Sequence, residues 1–167
     1  MRRKTRMFMV ACLLGASLVA MAAAAPLDLH DYWDQRCSAC HGHAGAFARR
    51  WLAVEQGHLV GQHHRDNLAE FLRHHYLADD LVEPVMQMLA AQAAQAPTFQ
   101  DRCAGCHKTA AEFARQSLDL RNGVLYGRHS GKPVRDYLAT HGGLAPAQIP
   151  PMVDTLTRVR REVAPGP

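Results

Sequence analysis

A short motif that combines two cysteines and a histidine occurs twice in the 167-residue chain. Residues 36–41 read RCSACH and residues 102–107 read RCAGCH. In each motif two residues separate the thiols, and an imidazole follows the second thiol directly. Thiols and imidazoles in such clusters can form disulfides, bind zinc or attach a cofactor. Any function proposed for these residues must therefore explain why both cysteines and the histidine occur twice.

The spacing favours covalent attachment of haem. A disulfide between cysteines this close would close only a tiny loop, and zinc needs four ligands where each motif offers three at most. By contrast, C-x-x-C-H is the attachment pattern of c-type haem, in which the thiols form thioethers and the histidine binds the iron. The sequence predicts two haem c groups, attached at Cys37, Cys40, Cys103 and Cys106, with His41 and His107 as proximal iron ligands.

An internal repeat carries both motifs. A shift of 66 residues places the two motifs, and much of the sequence around them, in register without a gap. The alanine- and glutamine-rich stretch LAAQAAQAPT at 89–98 separates the copies. We therefore expect two haem domains, at 25–91 and 92–167. A module of about 66 residues has a marginal core, which a bound group in its interior would stabilise.

The N-terminus predicts export. Four basic residues precede an apolar run that ends in AAAAP, so residues 1–24 read as a signal peptide cleaved after Ala24. An uncleaved membrane anchor is the alternative. The segment holds four of the 19 Lys and Arg residues and none of the 15 acidic residues, so the mature chain is formally neutral. We expect a periplasmic protein with no nucleic-acid partner.

The apolar pattern indicates helices and loops throughout, with no alternating strand, and hence an all-α fold. A capping box is expected from Asp80 to Glu83, a first helical residue at Pro133, and a helix stop at Gly142 and Gly143. The expected helices are 29–37, 46–54, 65–75, 79–92, 132–141 and 150–163.

Together the two attachment motifs, the repeat and the helices resemble a dihaem cytochrome c with two class-I-like domains in tandem. The resemblance covers the chain from about Leu27 to Val163. It implies helices wrapped round each haem, with one haem edge near the surface. It also implies a distal iron ligand, which in this family is usually a methionine in the loop before the last helix.

His75 and His141 are the first candidates for that distal ligand. Each ends an apolar stripe with helical spacing, and an imidazole on the core face of a helix needs a buried partner, which iron would be. Met86 and Met152 are the alternative, although both also fit core packing in the last helix. His63 and His129 are a third matched pair, in loops. Arg49 and Arg115 also recur, either to pair with haem propionates or on solvated helix faces.

The choice of distal ligand bears on function. An axial methionine raises the reduction potential and a second imidazole lowers it. Bis-histidine ligation leaves no open position on the iron, and no motif resembles a catalytic base, a flavin site or a nucleophile. We expect an electron carrier between redox partner proteins, which is no enzyme and needs no small-molecule substrate. The alternatives are a haem subunit of a periplasmic oxidoreductase complex, or a haem peroxidase or sensor.

Overall fold

The computed structural model describes residues 27–163 of the chain. The expected signal peptide lies outside these residues. Helix accounts for 59% of the structure and strand for 12%, so the fold is mostly helical with two small antiparallel sheets. Between Leu27 and Val163 no helix is long and apolar enough to cross a membrane.

The same order of elements occurs twice along the chain: three short helices, a two-stranded hairpin and two further helices. The first series is α1 Leu29–Arg36, α2 Ser38–His41, α3 Ala44–Trp51, β1 Leu52–Glu55, β2 His58–Gly61, α4 Leu68–Arg73 and α5 Asp79–Ala94. The second is α6 Thr98–Arg102, α7 Ala104–His107, α8 Ala110–Ser117, β3 Leu118–Arg121, β4 Val124–Gly127, α9 Val134–Leu138 and α10 Ile149–Glu162, with a short 3₁₀ turn at Pro146–Gln148.

The two hairpins correct the expectation of helices and loops alone. Strand β1 pairs antiparallel with β2, and β3 pairs with β4 in the matching register. Gln56 and Gly57 form the first turn with φ of 51° and 82°, and Asn122 and Gly123 form the second with φ of 50° and 80°. Positive φ at both central residues is typical of tight hairpin turns, and Asn-Gly is their strongest sequence signal. The expectation of helices and loops alone did not include this signal at Asn122 and Gly123.

Several expected helix bounds are also wrong. The helix expected at 46–54 ends at Trp51, because β1 begins at Leu52. The helices expected at 65–75 and 132–141 shrink to α4 and α9, and Pro133 precedes α9 instead of starting it. The capping box is absent because α5 begins at Asp79 and has no side-chain cap. By contrast α1, α5 and α10 confirm the expected helices to within a few residues.

Two hydrophobic clusters form the core. The first contains buried residues between Trp33 and Leu89, and the second contains buried residues between Phe99 and Val163. Corresponding positions of the repeat are buried in both, as for Ala48 and Ala114, which are fully buried. The sequence repeat is therefore also a repeat of packing.

The gapless match between the two halves ends after His141. Leu77 and Leu144 lie 67 residues apart, and both are buried, with exposed fractions of 8% and 9%. The residues that follow them, Ala78 and Ala145, precede the next helical segment with nearly the same φ and ψ. The second half therefore has one extra residue in its glycine pair, and this shift breaks the expected match of Met86 with Met152.

The conformation of Gly42 gives a first test of the motif's backbone. Gly42 follows the first motif at φ 67° and ψ −157°, with no atom near the position of an added Cβ. Its counterpart Lys108 has φ 57° and ψ −110°. We expect Gly42→Ala to lower the free energy of unfolding by about 1–2 kcal/mol through backbone strain alone. Urea denaturation measures this loss.

The reciprocal change should act in the opposite direction. Lys108→Gly relieves the strained backbone but loses an exposed ion pair with Glu112, which contributes only a few tenths of a kcal/mol. We expect a net gain of about 0.5 kcal/mol. An unchanged stability in Gly42→Ala would contradict the assigned backbone conformation.

Candidate functional site

Both cysteine–histidine motifs have the same backbone conformation. Cys37 ends α1 at φ −118° and ψ −32°, and Cys103 ends α6 at φ −118° and ψ −28°. A one-turn helix follows each cysteine, in which the histidine N–H donates to the cysteine carbonyl at 3.0 Å for His41 and 2.9 Å for His107. This turn holds both cysteines and the histidine of a motif on one short segment.

Each motif has one half-buried thiol and one exposed thiol. Cys37 and Cys103 pack against the two hydrophobic clusters, whereas Cys40 and Cys106 are exposed. All four thiols are free. Burial raises the pKa of the Cys37 and Cys103 thiols. The two motifs therefore present their thiols in the same way.

The histidine of each motif lies opposite the histidine expected as its distal partner. The ring centres of His41 and His75 are 5.9 Å apart with an interplanar angle of 60°. Those of His107 and His141 are 6.0 Å apart at 62°. Because metal–imidazole bonds are about 2 Å long, two imidazoles on opposite sides of one metal have ring centres about 6 Å apart. The spacing in both halves fits a pair of axial ligands.

The burial expected for the distal histidines is only partly present. His75 is half-buried, but His141 is exposed, and both lie just beyond α4 and α9 rather than on a helix face. The expectation of a core imidazole is therefore wrong for His141. Burial and the nearby His75 lower the pKa of His41. The shared feature of the two halves is the pairing of the rings.

Aromatic side chains surround both histidine pairs. In the first half Phe71 stacks on His75 at 4.7 Å and 24°, and His64 stacks on Phe71 at 3.9 Å. In the second half Tyr137 lies 4.7 Å from His141 at 37°. Phe71 and Tyr137 occupy matching repeat positions, so the coincidence of two aromatic residues could have indicated this role. The stack of His64 has no counterpart in the second half, where Ser130 holds the matching position, and no sequence pattern indicates it.

The proximal histidines have matching aromatic neighbours. Phe47 lies 4.7 Å from His41, and Phe113 lies 4.5 Å from His107. Trp33 adds a ring 6.1 Å from His41. These rings restrict the orientation of the imidazoles from the side of the core.

The remaining candidate ligands lie elsewhere. Met152 is 3% exposed inside the second hydrophobic cluster, and Met86 is half-buried on α5. His63 and His129 are exposed. Arg115 forms an ion pair with Asp28. The structure brings the histidine pairs together and gives the two methionines different surroundings.

Within residues 27–163 no group of three or more His, Cys, Asp or Glu side chains is arranged to hold a metal ion. A haem iron takes most of its bonds from the macrocycle, so a pair of imidazoles would be enough to complete the ligands of a haem iron. Compared with known proteins, the chain matches no family model, no curated protein and no solved structure.

The indole of Trp33 gives a second test. Its Nε1 donates a hydrogen bond to the Gly42 carbonyl at 2.9 Å and so ties the end of the first motif to the core. The matching residue Phe99 cannot donate one. We expect Trp33→Phe to lower the free energy of unfolding by about 1 kcal/mol, since the hydrogen bond to the Gly42 carbonyl is lost. Urea denaturation measures the change, and Trp51→Phe, at an exposed tryptophan, is the control that should change little.

Proposed function

We propose that the chain is an exported dihaem c-type cytochrome that carries electrons between periplasmic redox partner proteins. The observation that carries the proposal is the repeated imidazole pair, with ring centres 5.9 Å apart in one half and 6.0 Å apart in the other. One histidine of each pair belongs to a C-x-x-C-H motif, which is the attachment pattern of haem c. A structural histidine would not need a second imidazole at the same distance in both halves.

In this proposal each half holds one haem c. Cys37 and Cys40, and likewise Cys103 and Cys106, form the thioethers. His41 and His107 are the proximal ligands. His75 and His141 are the distal ligands. When bound, the haem supplies a one-electron change between ferric and ferrous iron.

The chain's own residues hold the ligands in place. The hydrogen bond from Trp33 to the Gly42 carbonyl fixes the backbone directly after His41. Phe71 and Tyr137 contact the distal rings and limit their rotation. Two imidazole ligands on one haem iron would leave no position open to a small molecule. This favours a carrier over an enzyme.

Two tandem cytochrome-c-like domains, at 25–91 and 92–167, are part of the proposal. The two hydrophobic clusters support it, because each packs against the first cysteine of one motif. Helix α5 runs to Ala94, so the first residues of the sequence seam are helical. Export depends on residues 1–24, where the basic and apolar runs support a signal peptide.

The absorption spectrum of the purified oxidised protein tests the ligand assignment. We expect a low-spin spectrum without the weak far-red band of methionine-bound ferric haem, and reversible reduction of both haems. The far-red band would instead assign Met86 or Met152 as the ligand and overturn the bis-histidine proposal.

A subunit role in an oxidoreductase complex is the second candidate. Tyr76, next to the distal His75, is 96% exposed with a positive φ of 60°. An exposed aromatic ring beside a redox centre favours contact with a partner protein. Copurification of a stoichiometric partner from the native source would support this role over a freely diffusing carrier.

A further inference from the structure

Arg49 and Arg115 hold matching positions 66 residues apart but have different partners. The Nε and Nη2 of Arg115 donate to the two carboxylate oxygens of Asp28 at 2.5 Å and 2.9 Å. The residue 66 positions after Asp28 is Ala94, which has no carboxylate. In the described part of the chain no carboxylate forms an ion pair with Arg49. The second half therefore has no carboxylate at the position where the first half has Asp28.

Arg49 lines a cavity of about 940 Å³ between the two halves. Its lining includes residues of α1, α3 and α5 in the first half and of α6, α8 and α10 in the second. Two N–H donors in its lining, Gln92 Nε2 and Arg158 Nε, are buried and have no acceptor in the described structure. A buried donor without an acceptor costs free energy, which an acceptor on a ligand would offset.

The Arg49 guanidinium and the Gln92 carboxamide converge over Gly45. A Cβ on this residue would lie 2.8 Å from Gln92 Oε1 and 3.1 Å from Arg49 Nη1. The absence of a side chain therefore lets the guanidinium and the carboxamide approach the same point on α3.

Among the lysine and arginine side chains of this lining in the described part of the chain, only Arg49 forms no ion pair. The terminal nitrogens of Arg158 bind Glu162 and Gln95, and Lys108 pairs with Glu112. Asp34 and Asp154 also line the cavity. Their carboxylates repel an anion, so binding depends on the Arg49 guanidinium.

We propose that Arg49, Gln92 and Arg158 form a binding site for a small carboxylate between the two halves. The ligand carboxylate accepts hydrogen bonds from Arg49 as the Asp28 carboxylate does from Arg115. A guanidinium binds a carboxylate through two parallel hydrogen bonds, which gives the site its selectivity. The site is separate from the histidine pairs, so it does not depend on the proposed electron transfer.

Calorimetric titration of malonate into the mature protein, at an ionic strength held constant with sodium chloride, tests the site. We expect saturable binding of one malonate per chain and a loss of affinity of about tenfold or more in Arg49→Gln. Gln92→Glu places a carboxylate beside Arg49, so we expect no malonate binding and a raised melting temperature. Arg50→Gln is the matched control, since Arg50 lies over the ring of Trp51, and it should keep the wild-type affinity.

Three outcomes would overturn the proposal. They are no saturable binding to the wild type, equal affinities in Arg49→Gln and Arg50→Gln, and equal affinities for malonate and inorganic phosphate. Circular dichroism of each variant checks that it is folded. Gln92→Glu keeps the side-chain size, and so tests the site even where Arg49→Gln fails to fold.

Discussion

The His75→Ala variant is expected to bind one carbon monoxide per chain when reduced, whereas the wild-type protein binds none. The ring of His75 lies 5.9 Å from that of His41. In the proposed dihaem protein alanine would remove one iron ligand, while the thioethers and His41 would remain. One haem would then become five-coordinate and high-spin, and the other would stay low-spin. Absorption spectra of the reduced variant, titrated with carbon monoxide, measure the stoichiometry.

Matched variants separate ligation from a general loss of structure. His141→Ala should behave like His75→Ala, and the double variant should bind two carbon monoxide molecules per chain. Met86→Leu keeps the core volume of α5 and should leave both haems low-spin. The assignment of His75 is wrong if His75→Ala remains low-spin and binds no carbon monoxide while Met86→Leu binds one.

The second large effect is expected from the attachment cysteines. Replacing Cys103 and Cys106 together by alanine would remove both proposed thioethers of the second half, so the haem content should fall from two per chain to one. A core of this size is marginal without its bound group. We therefore expect the second half to unfold at a lower urea concentration than the first. The pyridine haemochrome assay measures the haem content, and tryptic fragmentation identifies the half that is exposed.

The fifth cysteine is the control for this experiment. Cys12 lies in the expected signal peptide, so Cys12→Ala should leave two haems per chain. Replacing Cys37 and Cys40 should remove the first haem and spare the second. A haem content of two in either double variant would show that these thiols are not the attachment points.

The parts of the site that depend on short sequence spacing were predictable from the sequence. Each cysteine pair and the histidine after it lie on one helical turn, and the repeat singled out His75 and His141 as matched histidines. The structure brings each of them within about 6 Å of the motif histidine of its own half. The mainly helical composition was also predictable, because amphipathic periodicity is a local signal.

Features that depend on tertiary packing were harder to predict. The stack of His64 on Phe71 joins residues across the turn that leads into α4, and no sequence pattern marks it. The exposure of His141 follows from a short α9 that ends at Leu138, where the apolar spacing alone suggested a longer helix. The extra residue near Gly142 is evident from the burial of Leu77 and Leu144 and from the starts of the helical segments after them, and not from the sequence alone.

The hairpins are a different kind of error, because Asn122 and Gly123 carried a recognisable turn signal. The strands have four residues each; LDLR alternates between apolar and polar residues over only two periods, and VLYG does not alternate. Short strands beside a strong helical signal are easily read as an extension of the helix. The turn residues deserved more weight than the strand residues.

The intact mass of the mature protein, produced in the periplasm of a bacterium that matures c-type cytochromes, tests the central claim most directly. The account predicts the mass of the chain from Ala25 onward plus two haems, with none of the four remaining thiols open to alkylation after denaturation. The mass of the bare chain, with all four thiols alkylated under the same conditions, would contradict it.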